Sequence, residues 1–277
     1  MRLPLELLLS LLLLGLCNAH HGKASFLDSV SEDLGSGEEA SEDTEDITTT
    51  ILRLNNGSRD LLFEGDLMIP TTRSARKCLN RPDNCLWPKN RNGDVEVPYK
   101  LSEKYARDDK SQIERAMRDL ESETCIRFVP YRRQRGYLNI EPRFGCSSTV
   151  GYVGDRQKLS LQKGCLVFGI IQHELMHALG FFHEQSRSDR DRHIRINFEN
   201  ILSYYKNNFE KHDTNNLGVP YDYSSVLHYG KTAFAKPGME SMTPIPNPNV
   251  EIGQRRRASP ADFLKINRLY KCRMHLG

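Results

Sequence analysis

The 277-residue sequence has no apolar run of the roughly 20 residues that a membrane-spanning helix needs. Its longest apolar run, Leu7–Leu16, is interrupted twice and lies beside the N-terminus. Arg2 precedes this run, and small residues follow it up to Ala19, as at the cleavage site of a secretory signal. We therefore expect residues 1–19 to be a signal peptide and the protein to be exported.

Residues 74–277 also lack internal repeats and low-complexity tracts, which excludes a repeat architecture. The hydrophobic fraction of 38% is sufficient for a core and excludes a wholly disordered chain. Two basic clusters, 132–135 and Arg255-Arg256-Arg257, have no interleaved aromatic residues of the kind that stack on bases. We therefore expect no nucleic-acid partner.

Charge is distributed unevenly along the chain. Residues 1–73 carry 13 acidic and 5 basic side chains, whereas residues 74–277 carry 23 acidic and 34 basic ones. The stretch Ser31–Thr50 has almost no large apolar residue and is predicted to be disordered. A basic stretch around Arg73-Ser74 offers a cleavage site for a trypsin-like protease. This organisation suggests a zymogen, with a removable acidic region at 20–73 ahead of a basic domain at 74–277.

Export also changes the cysteine count. Of seven cysteines, Cys17 would leave with the signal peptide, and the remaining six favour three disulfides in an oxidising compartment. Spacing alone leaves all fifteen pairings of six cysteines open. Asn56-Gly57-Ser58 is the only glycosylation sequon, so we expect any N-glycan at Asn56, within the acidic region.

Periodicity within residues 74–277 predicts an α+β domain with a sheet-bearing N-terminal half and an irregular C-terminal half. Helices are predicted at 110–123 and at Leu166–Leu179. A third helix is predicted after a capping Asn197 and carries Phe198, Ile201, Leu202 and Tyr205. A fourth is predicted after Ser259-Pro260, with Phe263, Ile266 and Tyr270 on one face. Strands are predicted at Cys125–Val129 and at Tyr137–Ile140, where Tyr137 and Asn139 face away from Leu138 and Ile140. The helix at Leu166–Leu179 is apolar over most of its circumference, which indicates that it is buried.

The predicted buried helix carries His173 and His177, four residues apart and therefore on one face. Such a pair can chelate one zinc ion. A continuous helix would rotate His183 roughly 240° away from that face, but a left-handed Gly180 would end the helix and turn the chain back. Three nitrogen ligands with an open fourth position are typical of catalytic zinc sites.

Glu174 follows the first of these histidines directly. Zinc lowers the pKa of bound water from about 15.7 towards 7. A carboxylate at this position can reach that water, take its proton and later protonate the leaving amine. Glu174 is therefore predicted to be the general base and acid of a hydrolase. The full spacing H-E-x-x-H-x-x-G-x-x-H arises by chance in only about three in 100,000 such sequences.

The run HELMHALGFFHEQSRSDRD, residues 173–191, resembles the extended zinc signature of the astacins, a family of metzincin zinc proteases. The stretch at 221–229 resembles the turn that lies beneath the zinc in this family. The resemblance implies an astacin-like fold with an active-site cleft between its two halves and one Zn2+ per catalytic domain. It also implies that Tyr229 is an additional metal ligand that swings away when substrate binds and then stabilises the oxyanion. The family has methionine where this chain has Leu227. A Leu for Met exchange roughly conserves volume, so we expect an active enzyme.

Phe63-Glu64-Gly65-Asp66 is similar to the F-x-G-D motif of astacin propeptides. The resemblance implies that Asp66 ligates zinc in place of the catalytic water and blocks the site until cleavage between Arg73 and Ser74. Related enzymes tie their mature N-terminal segment to the glutamate after the third histidine, here Glu184. The extension that contains Cys78 and Cys85 leaves the details of that contact open.

The resemblance implies the disulfides Cys125–Cys272, Cys146–Cys165 and Cys78–Cys85. The last is a mark of the six-cysteine astacins of fish, which include hatching enzymes, and stretches such as 141–146 and 243–248 are most similar to the low choriolytic type. The implied protein is a monomeric protease, secreted from zymogen granules, that needs an activating protease and digests egg-envelope glycoproteins. Two alternatives are a six-cysteine astacin of digestive or immune tissue and a non-catalytic secreted zinc-binding protein. The second would be expected to lack Glu174.

Overall fold

A computed structural model of the chain describes residues 45–68 and 85–273. The signal peptide, the Arg73-Ser74 bond and Cys78 lie outside these residues. Four α-helices are described: α1 (Ile47–Asn55), α2 (Arg107–Glu123), α3 (Phe168–Ala178) and α4 (Pro260–Leu269). Nine strands are described: β1 (Leu62–Phe63), β2 (Leu67–Met68), β3 (Val95–Leu101), β4 (Ile126–Pro130), β5 (Tyr137–Glu141), β6 (Cys146–Thr149), β7 (Arg156–Leu161), β8 (Ile194–Ile196) and β9 (Met242–Pro244). No helix among these residues is both long and apolar enough to cross a bilayer.

Seven strands form one mixed sheet in the order β1-β2-β6-β7-β5-β3-β4. The pairs β4–β3, β3–β5 and β5–β7 are parallel, and β6 runs antiparallel to β7. Helices α2, α3 and α4 contribute to the same core as the sheet. The C-terminal half contains only the β8–β9 ribbon, short 3₁₀ turns and α4 among its described elements. This division confirms the predicted α+β class.

Three of the four helix predictions are confirmed. The stripe that predicted α2 is buried, although α2 begins at Arg107, three residues before the predicted start. Every residue of α3 from Gly169 to Ala178 is buried, as its all-round apolarity indicated. At the start of α4 the Ser259 hydroxyl accepts from the Asp262 N–H, and the Asp262 carboxylate accepts from the Ser259 N–H.

The predicted helix after Asn197 is wrong. Residues 198–200 and 203–209 form 3₁₀ turns instead, and Phe198 is exposed. The Asn197 side chain does not cap a helix; its amide donates to Glu240 and Thr243 across the chain. Local periodicity was therefore outweighed by long-range hydrogen bonds.

The strand predicted at Tyr137–Ile140 is confirmed as β5, and Asn139, on the face opposite Leu138 and Ile140, is buried as well. One other expectation needs correction. The stretch Ser31–Thr50 was predicted to be disordered, but its last residues, from Ile47, belong to α1. The Asp46 carboxylate caps this helix by accepting from the backbone N–H groups of Thr48 and Thr49.

Residues 45–68, which we call the docked segment, pack against the rest of the domain. Ile47 and Ile51 of α1 enter the main core, and β2 extends the sheet by pairing in parallel with β6. The Asn55 side-chain amide pairs with the backbone of Cys146 in β6, as a neighbouring strand would. It donates to the carbonyl of Cys146 at 2.7 Å and accepts from the Cys146 N–H at 2.8 Å.

Replacing Asn55 by Ala should loosen the docked segment. The variant leaves the buried polar groups of Cys146 unpaired, at a cost of about 1–3 kcal/mol. Amide hydrogen exchange across residues 62–68 should therefore accelerate by about tenfold or more. Arg59→Ala, at an exposed position of the same segment, is the matched control. Equal exchange rates in the two variants would contradict this role of Asn55.

Candidate metal centre

His173 and His177 lie one turn apart on α3, and their Nε2 atoms are 2.9 Å apart. His183 joins them because α3 ends at a glycine turn. Gly180 has a φ of 106°, in the left-handed region, and its N–H donates to the carbonyl of His177. The next N–H, of Phe181, donates to the carbonyl of Met176, which completes a Schellman motif. The ring centroid of His183 is thereby brought to 4.6 Å from that of His177.

Each imidazole is oriented by an acceptor opposite its Nδ1 atom. The Nδ1 of His173 lies 2.8 Å from the carbonyl oxygen of Val226, and that of His177 lies 2.7 Å from the carbonyl oxygen of Phe181. The Nδ1 of His183 lies 2.6 Å from a carboxylate oxygen of Glu64. Since each Nδ1 faces an acceptor, it carries a proton, which leaves each Nε2 facing the other rings as the atom that can ligate a metal.

Asp66 of the docked segment completes the cluster. Its Oδ2 atom lies 3.0 Å from the Nε2 of His173 and 3.3 Å from that of His183. Burial opposes ionisation of Asp66, but the charges and hydrogen bonds of these histidines outweigh it and hold its pKa well below the usual value. Gly65 permits the approach: it has a φ of 90°, and a Cβ there would lie 2.6 Å from the Leu52 side chain.

The donor set fits a zinc ion. One atom each from Asp66, His173, His177 and His183 can be chosen so that all four lie within 4.8 Å of one another, and all four residues are buried. Among the described residues, the Oδ1 atom of Asp66 has no hydrogen-bond partner. Three imidazole nitrogens and one carboxylate oxygen are ligands that zinc accepts in tetrahedral sites.

Glu174 is fully buried beside this cluster. Neither of its carboxylate oxygens has a hydrogen-bond partner among the described residues. Burial, followed by the nearby Asp66 carboxylate, raises the pKa of Glu174 well above the usual value. A carboxyl group held in this way beside three converging imidazoles is suited to exchanging a proton with a group bound there.

Tyr229 lies next to His183 of the cluster. Its ring centroid lies 4.6 Å from that of His183, and its hydroxyl donates to the backbone carbonyl of Glu64. Burial and then the carboxylates of Glu64 and Asp66 raise the pKa of Tyr229 well above the usual value, so it is a neutral phenol. In this structure its hydroxyl is thus engaged by the docked segment.

The turn at 221–229 contacts the histidine cluster through the carbonyl of Val226, which faces the Nδ1 of His173. Leu227 is buried in the main core, and its carbonyl accepts from the Glu184 N–H. Asp262 of α4 braces the turn: one carboxylate oxygen accepts from the Ser225 hydroxyl and the other from the Val226 N–H. The carbonyl that orients His173 therefore belongs to a turn fixed by a helix start.

Glu184 is already paired within the described residues. Its carboxylate lies 2.5 Å from the ammonium of Lys265 and 3.0 Å from the guanidinium of Arg187, and all three side chains are buried. The expected contact with the mature N-terminal segment falls on residues outside those described. Sequence reasoning missed Lys265, because α4 lies some 80 residues beyond Glu184 and no local signal connects them.

Sequence reasoning also missed Glu64, although it lies inside the motif that identified Asp66. Its carboxylate is fully buried and accepts from His183, from the Ser186 hydroxyl at 2.9 Å and from His212 at 2.6 Å. Burial opposes ionisation of Glu64, but the hydrogen bonds from His183 and His212 lower its pKa below the usual value. The variable position of the motif thus contacts a candidate ligand directly.

The remaining predicted site residues are the cysteines and Asn56. The structure contains the disulfides Cys125–Cys272 and Cys146–Cys165, with S–S distances of 2.06 and 2.11 Å. Cys85 is disulfide-bonded, and its expected partner Cys78 lies outside the described residues. Asn56 is exposed, as a glycosylation site must be.

The site is of the metallopeptidase type. It has two histidines on a buried helix, a third histidine beyond a glycine turn and a buried glutamate next to the first histidine.

Comparisons with known proteins lead to the same class. Residues 84–271 match the family model described as Astacin, a peptidase family. The chain is 52% identical over 268 residues to the low choriolytic enzyme of Oryzias latipes, a match that covers 95% of this chain and 97% of that protein. It is 51% identical over 234 residues to high choriolytic enzyme 1 of the same species, covering 84% and 86% of the two chains.

A solved structure of high choriolytic enzyme 1, a hatching enzyme zinc-protease from Oryzias latipes, matches with a TM-score of 0.67 and 51% identity. The match covers 69% of this chain and 96% of that one. The chain belongs to the astacin family of zinc-dependent peptidases. It is a metalloendopeptidase that acts on protein substrates, and its relatives include hatching enzymes.

Restoring the family methionine at Leu227 should change little. Leu227→Met roughly conserves volume, so we expect a change in unfolding free energy of less than about 1.5 kcal/mol and less than about tenfold in peptidase activity. Leu227→Ala, which opens a cavity at the same place, should instead cost about 2–5 kcal/mol. Denaturant unfolding and peptide hydrolysis check both values. A gain of orders of magnitude in Leu227→Met would contradict this reasoning.

Proposed function

We propose that the protein is a secreted zymogen of a zinc endopeptidase that digests egg-envelope proteins at hatching. The proposed organisation is a signal peptide at 1–19, an inhibitory propeptide at 20–73 and a monomeric peptidase domain at 74–277. His173, His177 and His183 would hold one zinc ion per domain. The observation that carries the proposal is the position of the Asp66 carboxylate, 3.0 Å from the Nε2 of His173 and 3.3 Å from that of His183.

A zinc ion held by these histidines would supply Lewis acidity and lower the pKa of a water molecule bound there. Glu174 lies beside the cluster, and its carboxylate has no hydrogen-bond partner among the described residues. This carboxylate is the group that takes a proton from the attacking water and passes it to the leaving nitrogen. The Tyr229 hydroxyl donates a hydrogen bond to the oxygen of the substrate carbonyl as negative charge develops there. The resemblance to astacins adds that Tyr229 is also a metal ligand before substrate binds.

Latency follows from the docked segment. Asp66 occupies the position at the histidines that the substrate carbonyl and water need. The Glu64 backbone carbonyl accepts a hydrogen bond from the Tyr229 hydroxyl. Cleavage between Arg73 and Ser74 by a trypsin-like protease would release both contacts at once. The Cys78–Cys85 disulfide would remain with the mature domain, and any glycan on Asn56 would leave with the propeptide.

The proposed substrate and tissue are assigned from the similarity to hatching enzymes. The high identity to two choriolytic enzymes over most of the chain supports an egg-envelope substrate and secretion from zymogen granules. The excess of basic side chains in residues 74–277 favours adsorption to an acidic extracellular coat. A six-cysteine astacin of digestive or immune tissue is the alternative, and the site of expression separates the two.

Removing the Asp66 carboxylate should activate the intact chain. Asp66→Ala opens the position at the histidines without cutting the backbone, so we expect peptidase activity at least tenfold above that of the uncut wild type. Mass spectrometry would confirm that both proteins are intact. Asp60→Ala, at an exposed acidic residue of the same segment, should stay latent. An Asp66→Ala protein as latent as this control would contradict the blocking role.

Glu174→Gln should retain one zinc ion per chain but lose at least 10²-fold in turnover, because a positioned acid–base group contributes about 10²–10⁴. The assay is mass spectrometry of fragments from egg-envelope protein and from casein, with and without a chelator. Glu251→Gln, at an exposed position, is the control. Undiminished cleavage by Glu174→Gln would refute its role, and cleavage of casein alone would refute the envelope substrate.

A further inference from the structure

The three candidate ligands differ in which part of the chain orients them. The acceptors opposite the Nδ1 atoms of His173 and His177 are the carbonyls of Val226 and Phe181, both in the proposed peptidase domain. The acceptor opposite the Nδ1 of His183 is the carboxylate of Glu64, in the docked segment. Release of that segment therefore removes the acceptor of one ligand and leaves those of the other two in place.

The position of Glu64 is fixed by several contacts in addition to the one with His183. Besides His183, its carboxylate accepts from the Ser186 hydroxyl and from His212, and the whole side chain is buried. Its backbone N–H donates to the Asn208 side chain at 3.1 Å, and its carbonyl accepts from Tyr229.

Backbone conformation supports the same conclusion. Glu64 has a φ of 50°, in the left-handed region that side-chain-bearing residues rarely adopt. Such a conformation costs about 1–3 kcal/mol and persists only where the surroundings fix it. The contacts of Glu64 therefore determine its position, and the carboxylate is held against His183 despite local strain.

Outer partners of this kind affect metal binding. A histidine that binds a metal through one ring nitrogen usually donates its other N–H to a carboxylate or carbonyl. The partner fixes the ring orientation and raises the basicity of the ligating nitrogen, and its loss typically costs 10–100-fold in metal affinity. A carboxylate is the stronger of these partners because its hydrogen bond is charge-assisted.

We propose that Glu64 is a positioning residue for the metal site: it orients His183 and strengthens zinc binding in the uncut chain, independently of the block formed by Asp66. This inference rests on the zinc site proposed above. Glu64 leaves with the docked segment, so the segment both inhibits the enzyme and helps to load and retain its metal before activation. The cleaved protein then holds the ion with His183 lacking this acceptor.

The test measures zinc affinity of the full, uncut chain by competition with a chromophoric chelator. Glu64→Ala should raise the zinc dissociation constant by about 10–100-fold. Glu64→Gln keeps a carbonyl acceptor for His183 and should show a smaller increase. Glu45→Gln, in the same segment and paired with Arg53, is the matched control and should bind as the wild type does. His212→Leu loosens Glu64 without altering the segment and should also weaken binding.

Substitution with Co2+ separates this role from a merely structural one. If Glu64 acts through His183, Glu64→Ala keeps the visible absorption spectrum of the wild-type chain, because Asp66 and the three histidines still ligate. If Glu64 only held the segment in place, the Co2+ spectrum of Glu64→Ala would change in the same way as the spectrum of Asp66→Ala. That result would overturn the proposal.

Wild-type affinity in Glu64→Ala would also overturn the proposal while leaving the zinc site intact. Failure of the wild-type chain itself to bind one zinc ion would be a different result. It would overturn the proposed function, and the role of Glu64 with it.

Discussion

The meeting of one carboxylate with three imidazoles in a buried position constrains the rest of the structure. An unpaired charge in such a place costs several kcal/mol, so Asp66 can lie there only because His173, His177 and His183 surround it. The histidines converge in turn because α3 is buried on all sides and ends at Gly180. The sheet, the helices and the C-terminal turns together hold these four candidate ligand atoms within 4.8 Å of one another.

The docked segment contacts the site through three consecutive residues with three separate tasks. Asp66 faces the Nε2 atoms, Gly65 allows the backbone to approach, and Glu64 engages the Nδ1 of His183 and the hydroxyl of Tyr229. These contacts depend on how the docked segment is held to the rest of the domain. It is held by the packing of α1 in the main core and by the pairing of β2 with β6. The proposed inhibition and the proposed metal retention therefore depend on the whole segment rather than on one residue.

Sequence reasoning succeeded where the signals were local. The convergence of the three histidines, the helix end at Gly180 and the capped start of α4 at Ser259 each depend on a few consecutive residues. It failed where distant residues decide. The helix predicted after Asn197 gave way to hydrogen bonds with Glu240 and Thr243. The partners of Glu64 and Glu184, the parallel order of the sheet and the brace from Asp262 all join segments that are far apart in the chain, which periodicity does not report.

X-ray absorption at the zinc edge of the uncut chain tests the central claim most directly, since it counts ligands without relying on catalysis. Three imidazole nitrogens and one carboxylate oxygen should appear at about 2.0–2.2 Å, with no sulfur ligand. Asp66→Ala should keep the three imidazoles and lose the carboxylate. A site with fewer than three imidazoles, or an identical coordination shell in Asp66→Ala, would contradict the arrangement on which the function of this protein depends.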